Sequence, residues 1–218
     1  MAIAGKQRLQ DMKINLASLI ALASLAAFPA QAESLVDGSV EDGKAKALTC
    51  TACHGPQGNS SSALWPNIAG QNASYTRAQL KAFKDGSRVD PLMSSQAMLL
   101  SDEDMADLAA YFESLPGAAQ AVADASLVAR GEALYRGGNM QTGAAACMAC
   151  HGPTGRGNPA ALYPALQGQH SAYTAKQLNA YADGTRETDG KPRIMRDIAA
   201  RLSKEDIEAV ASYVQGLR

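Results

Sequence analysis

The sequence predicts an all-α protein made of two tandem domains related by an internal duplication. Matching motifs run in the same order through both halves of the chain, apolar residues recur at helical spacing behind serine N-caps, and no segment alternates as a strand would. The 218 residues are 46% apolar and 19% charged, as in a soluble globular chain. Only 5% are aromatic, so the two small domains would have thin cores, and such domains usually need a staple or a cofactor. A formal net charge of −1 leaves no dominant basic face and argues against nucleic acid as a partner.

The chain opens with a segment that reads as targeting rather than fold. Lys6, Arg8 and Lys13 form a positive region, Ile14 to Phe28 is apolar, and Ala30-Gln31-Ala32 has the small-x-small pattern of a secretory cleavage site. The apolar stretch is short for a membrane span. Residues 1–32 are therefore expected to be a cleaved signal peptide, with the mature chain starting at Glu33 outside the cytoplasm. Met12 is an alternative start, because it opens a more typical signal than Met1.

The elements of each domain follow in order. Residues 41–53 are helix-compatible, ending at a Cys-His motif, and Tyr75–Lys84 is a short amphipathic segment stopped at Asp85-Gly86. Ser101 is an N-cap with Asp104 three positions on, and Met105, Leu108, Ala109 and Phe112 form the apolar stripe behind it. Leu115-Pro116-Gly117 closes the first unit. In the second half Tyr173–Ala182 stops at Asp183-Gly184, and Ser203 with Asp206 caps a stripe of Ile207, Val210, Ala211 and Val214. The expected organisation is domain 1 over 33–117, an Ala-rich linker over 118–126 and domain 2 over 127–218.

The duplication is explicit in the motifs. Cys50-Thr-Ala-Cys-His-Gly-Pro56 recurs as Cys147-Met-Ala-Cys-His-Gly-Pro153, Trp65-Pro66 as Tyr163-Pro164, and Gly70-Gln71 as Gly168-Gln169. Tyr75-Thr76 matches Tyr173-Thr174, and Gln79-Leu80 matches Gln177-Leu178.

All four cysteines, Cys50, Cys53, Cys147 and Cys150, lie in Cys-x-x-Cys-His strings, the attachment signal for haem c. Two thiols one helical turn apart reach the two vinyl groups on one edge of a porphyrin, and the adjacent His54 or His151 projects toward the iron. Zinc would want both pairs in one fold, a dithiol redox pair would want a βαβ context, and a disulfide would not explain the histidine in both copies. Two covalently bound haem c groups are therefore expected, in two tandem class I cytochrome c-like domains.

The sixth iron ligand can be narrowed by elimination. His170 is the third histidine, but its repeat counterpart is Asn72, so it reads as a loop residue. Methionine is the other common ligand. In the second half Met148 lies between the haem cysteines and Met140 precedes the motif, whereas Met195 lies downstream on the loop before the last helix. In the first half Met105 belongs to the apolar stripe. Met93 stands eight residues before Ser101, as Met195 stands eight before Ser203, and Met98 is the alternative without a counterpart. The repeat register favours Met93 and Met195. A ligating histidine also needs an acceptor for its other ring N–H, and the carbonyls of Pro66 and Pro164, 12 and 13 residues downstream, are candidates.

These features, with Gly168-Gln-His-Ser-Ala-Tyr-Thr-Ala-Lys-Gln-Leu178, Leu202-Ser-Lys-Glu-Asp-Ile-Glu208 and Tyr213-Val-Gln-Gly-Leu217, make the chain similar to the dihaem cytochrome c4 family. The resemblance implies a periplasmic electron carrier between a quinol:cytochrome c reductase and a haem–copper terminal oxidase, loosely associated with the membrane. It also implies haems near the domain interface and matches Met93 and Met195 to the ligand methionines. Residues 33–122 hold six basic and eleven acidic side chains, and residues 123–218 eleven and nine, an asymmetry able to orient docking. The rival readings are a subunit of a larger redox enzyme and a dihaem peroxidase-type enzyme. Catalysis on a haem needs an open sixth position, and each half offers a methionine instead.

Overall fold

The computed structural model describes residues 35–218, and the expected signal segment 1–32 lies outside the described residues. Ser39 caps α1 (Val40–Lys46), its hydroxyl accepting from the Asp42 amide. The helical run expected over 41–53 bends at Ala47 into α2 (Leu48–His54). The Ala47 side chain is buried against Leu108 and Phe112, so α1 crosses the last helix of its half while α2 turns away to carry the cysteines.

Next come α3 (Ala73–Asp85), ended by Gly86 at φ +80°, α4 (Pro91–Met98) and α5 (Asp102–Ser114). The second half repeats the order with α6 (Val128–Gly137), α7 (Met148–His151), α8 (Ser171–Ala182), α9 (Ile194–Ala199) and α10 (Lys204–Gly216). Both final helices begin with a full capping box, Ser101 with Asp104 and Ser203 with Asp206. Among the described residues the β-type pairings are two isolated bridges, Asn139–Ala144 and Asn158–Tyr163.

Packing repeats as well. The first helix of each half crosses the last, α1 on α5 and α6 on α10, with α3 and α8 packed alongside. The crossings are close because a glycine faces them. A Cβ on Gly43 would sit 2.0 Å from the Asp107 carbonyl oxygen, and one on Gly131 would sit 2.3 Å from that of Ala209. Beneath them lie Met105, Leu108 and Phe112 in one half, and Leu134, Tyr135, Val210 and Val214 in the other. The crossings are also tied by charge. Lys46 Nζ lies 2.8 Å from Asp104 and 2.5 Å from the buried Asp107, and Arg130 lies 2.7 Å from the buried Asp206.

Residues 118–124 are strapped to the second half. Gln120 Nε2 donates to the Gly168 carbonyl at 2.8 Å, Gln215 Nε2 donates to that of Ala121 at 3.0 Å, and the Asp124 amide donates to Ser212 Oγ at 2.7 Å.

Two outcomes follow for stability. Gly43→Ala or Gly131→Ala forces the crossing helices apart and should cost about 2 kcal/mol, read from urea unfolding of the haem-loaded protein; an unchanged midpoint would refute the crossing argument. Hydrogen bonds from Lys46 hold Asp104 and Asp107 below the ordinary carboxylate range. The unfolded chain therefore takes up their protons first as pH falls, and this stabilisation, complete at neutral pH, drains away below about pH 4. Lys46→Met should show a smaller acid-induced loss than the wild type in the same titration.

Candidate functional site

Two sites of the same construction lie at the ends of α2 and α7. Cys50 and Cys53 sit on α2 one turn apart, Cys147 and Cys150 open and occupy α7, and neither pair is joined in a disulfide. Burial pushes the Cys50 thiol up and that of Cys147 up to about 11. Such raised values are the opposite of the low-pKa thiolates used in disulfide exchange.

His54 and His151 close these helices and are buried. Gly55 at φ +83° and Gly152 at φ +77° then turn the chain back past each ring. His54 Nδ1 lies 2.8 Å from the Pro66 carbonyl oxygen, and His151 Nδ1 lies 3.0 Å from that of Pro164. A carbonyl only accepts, so Nδ1 carries the proton in each ring and Nε2 keeps its lone pair. Burial lowers both imidazoles below the ordinary histidine value, against the opposing pull of the carbonyls, which favours the neutral form that binds metals.

Among the described residues no cluster of three or more His, Cys, Asp or Glu could hold a metal ion. The thiols paired one turn apart and the oriented neutral imidazole together fit a haem joined to each pair of cysteines.

Met93 lies in the first turn of α4. Its amide and that of Leu92 both donate to Asp90 Oδ1 at 3.2 Å, and Pro91 opens the helix. Met195 lies in α9 rather than on the loop expected for it. The helix forms there because the next residue is anchored: Arg196 Nε donates to Asp189 Oδ1 at 2.8 Å, and its amide donates to Asp189 Oδ2 at 2.9 Å. Both methionines are half-buried. Met98 is 67% exposed, Met140 is 94% exposed and Met105 is core. Met148 packs against the core of the second half.

His170, read from sequence as a loop residue, is the buried N-cap of α8, and its Nε2 lies 3.0 Å from the Ser60 carbonyl of the other half.

Interface residues are what sequence reasoning missed. The Gln169 side-chain amide pairs with both backbone groups of Asn67, accepting from its amide at 2.9 Å and donating to its carbonyl at 2.8 Å. Reciprocally, Gln71 accepts from the Ala165 amide at 2.8 Å and donates to its carbonyl at 2.9 Å. Asn67 and Ala165 directly follow the two prolines, so the strips that orient the histidines are also the strips that join the halves. Matching polar residues in both repeats were the available signal; nothing local says that they face each other.

Comparison with known proteins agrees with this construction. The family model described as cytochrome c matches residues 40–116 and 128–218. Cytochrome c4 of Pseudomonas aeruginosa is 48% identical over 180 residues, covering 83% of this chain and 89% of its own length. The thiosulfate dehydrogenase electron acceptor of Stutzerimonas stutzeri is 38% identical over 170 residues, covering 77% and 78%. The crystal structure of reduced recombinant cytochrome c4 from Pseudomonas stutzeri superposes with a TM-score of 0.81 at 45% identity, covering 83% of this chain and 100% of that one.

Replacing Cys147 and Cys150 together by alanine should halve the covalent haem, from two groups per chain to one, in the mass of the intact protein. Retention of both would separate those cysteines from attachment.

Proposed function

Because the chain belongs to the dihaem cytochrome c4 family and, as an electron-transfer cytochrome, carries two covalently bound haem c groups, we propose that it is a periplasmic shuttle. In this reading it takes electrons from a quinol-oxidising complex and passes them to a haem–copper terminal oxidase. Bound haem supplies a one-electron couple between ferric and ferrous iron.

The observation that carries the proposal is the equivalence of the two sites. Each has a buried histidine whose Nδ1 faces a proline carbonyl, and each has a methionine eight residues before a capping serine. His54 and Met93 would ligate one iron, and His151 and Met195 the other. With a histidine and a methionine both held to its iron, each site would pass electrons without binding small ligands. Pro66 and Pro164 hold the imidazole planes, so little reorganisation accompanies a change in charge. We assign domain 1 to 33–117, the connecting strap to 118–126, domain 2 to 127–218 and a cleaved signal peptide to 1–32. Among the described residues no helix is long and apolar enough to cross a membrane. The acidic first half and the weakly basic second half would receive different partners.

A second reading has one observation in its favour: the similar protein named a thiosulfate dehydrogenase electron acceptor. There the same two haems would serve a dedicated dehydrogenase instead of a respiratory complex.

Absorption spectra with carbon monoxide test the ligands. The wild type should show two low-spin haems with the far-red methionine–ferric iron band and no response to the gas. Met93→Ala and Met195→Ala should each remove about half of that band and open one haem to carbon monoxide, whereas Met98→Ala should do neither. A high-spin or carbon monoxide-binding haem in the wild type would overturn the closed-carrier reading for that half. Electron exchange with an isolated quinol:cytochrome c reductase and with an isolated dehydrogenase separates the two routes.

A further inference from the structure

The glutamines that join the halves reach further than the junction. Gln169 Oε1 accepts from the Asn67 amide at 2.9 Å and from the His170 amide at 3.0 Å, while its Nε2 donates to the Asn67 carbonyl at 2.8 Å. Gln71 does the same in the other direction. Its Oε1 accepts from the Ala165 amide at 2.8 Å and from the Asn72 amide at 3.0 Å, and its Nε2 donates to the Ala165 carbonyl at 2.9 Å. Two N–H groups on one side and a carbonyl on the other leave each side chain a single orientation, with its oxygen toward the amides.

The amide it meets across the junction belongs to the peptide unit whose carbonyl holds a histidine. The Pro66 carbonyl and the Asn67 N–H are two ends of one peptide bond, as are the Pro164 carbonyl and the Ala165 N–H. A continuous line therefore runs from His54 Nδ1 to the Pro66 carbonyl at 2.8 Å, through that peptide, and on to Gln169 of the opposite half. Its counterpart runs from His151 Nδ1 to the Pro164 carbonyl at 3.0 Å and on to Gln71.

A peptide group is conjugated, its nitrogen sharing electrons with the carbonyl. Drawing on the N–H makes the oxygen more negative, and hydrogen bonds in a chain strengthen one another where water is kept out. Asn67 is 7% exposed and Gln169 9%. The proline carbonyl becomes a stronger acceptor, pulls harder on the Nδ1 proton and leaves Nε2 a richer donor to a metal. An electron-rich imidazole favours ferric over ferrous iron.

We propose that Gln169 and Gln71 are positioning residues that lower the reduction potential of the iron in the half opposite their own, each by polarising the peptide that holds the other half's histidine. This rests on His54 and His151 as the iron ligands and not on the respiratory route. The junction does not depend on the glutamines alone. Arg88 and Arg186, each set by an Asp-Gly hook in which Asp85 or Asp183 accepts from the Ser87 or Thr185 amide, are buried between the halves. Arg88 donates to Tyr173 and Gln177 of the other half, and Arg186 to Tyr75 and Gln79. Replacing one glutamine should therefore leave the halves joined.

In the isotope-labelled ferrous protein the Asn67 amide should couple across its hydrogen bond to the Gln169 side-chain carbonyl, and the Ala165 amide to that of Gln71. Absence of both couplings would overturn the proposal, whatever the variants do. A redox titration followed by NMR reads each haem from the resonances of its own histidine. Gln169→Met should raise the potential of the His54 iron more than that of the His151 iron, and Gln71→Met the reverse. Each variant should also move the Nδ1 proton of the affected histidine toward the position of a weaker hydrogen bond. Ser74→Ala, which deletes a bond to the Pro159 carbonyl elsewhere on the junction, should leave both potentials where they were. Unchanged potentials, or equal shifts of both haems in each glutamine variant, would reduce the glutamines to interface links and refute the assignment. A wild type without haem-shifted imidazole protons from His54 and His151 would instead remove the ligands, and the proposal with them.

Discussion

Each proximal strip has two obligations at once, and the rest of the structure depends on that. The carbonyl of Pro66 or Pro164 accepts from a histidine, and the next residue, Asn67 or Ala165, is held through both backbone groups by a glutamine of the opposite half. Backbone groups buried at an interface need partners, and a side-chain amide can serve an N–H and a C=O together. The histidine rings and the junction between the halves therefore share one set of hydrogen bonds. The glutamines follow Gly70 and Gly168, both at φ +68°; a Cβ at Gly168 would lie 2.0 Å from the Ala118 carbonyl oxygen.

Pseudo-symmetry organises much of the interior, though buried His170 answers to Asn72 and buried Asn67 to Ala165. Capping boxes, glycine crossings, Asp-Gly hooks, crossed arginines and reciprocal glutamines all recur in both halves. The crossings are reinforced differently: Lys46 bridges two carboxylates of α5, whereas Arg130 grips one of α10. Exposed large apolar side chains concentrate in the first half, with Leu48, Leu64, Val89, Leu92, Met98 and Leu99 all above 60%.

Much was legible in the sequence because it depends on neighbours in the chain. The Cys-x-x-Cys-His strings, the serine caps and the Asp-Gly stops are signals of local geometry, and the repeat doubled each of them. The bend at Ala47 was not legible, because it answers to Leu108 and Phe112 some 60 residues away. Nor was the helix around Met195, which exists because Asp189 captures Arg196. His170 looked like a loop residue since its counterpart is Asn72; its partner, the Ser60 carbonyl, is 110 positions distant.

The sequence by itself determined the all-α class, the duplication, the attachment cysteines and the candidate ligands, because covalent chemistry and helix capping act over a few residues. Tertiary structure alone decided that the matched Gln71 and Gln169, Tyr75 and Tyr173, and Arg88 and Arg186 each bond across to the opposite half. Two copies of one motif carry no information about their mutual orientation until a rotation brings them together. That rotation turned a list of repeated polar residues into an interface with two buried positive charges.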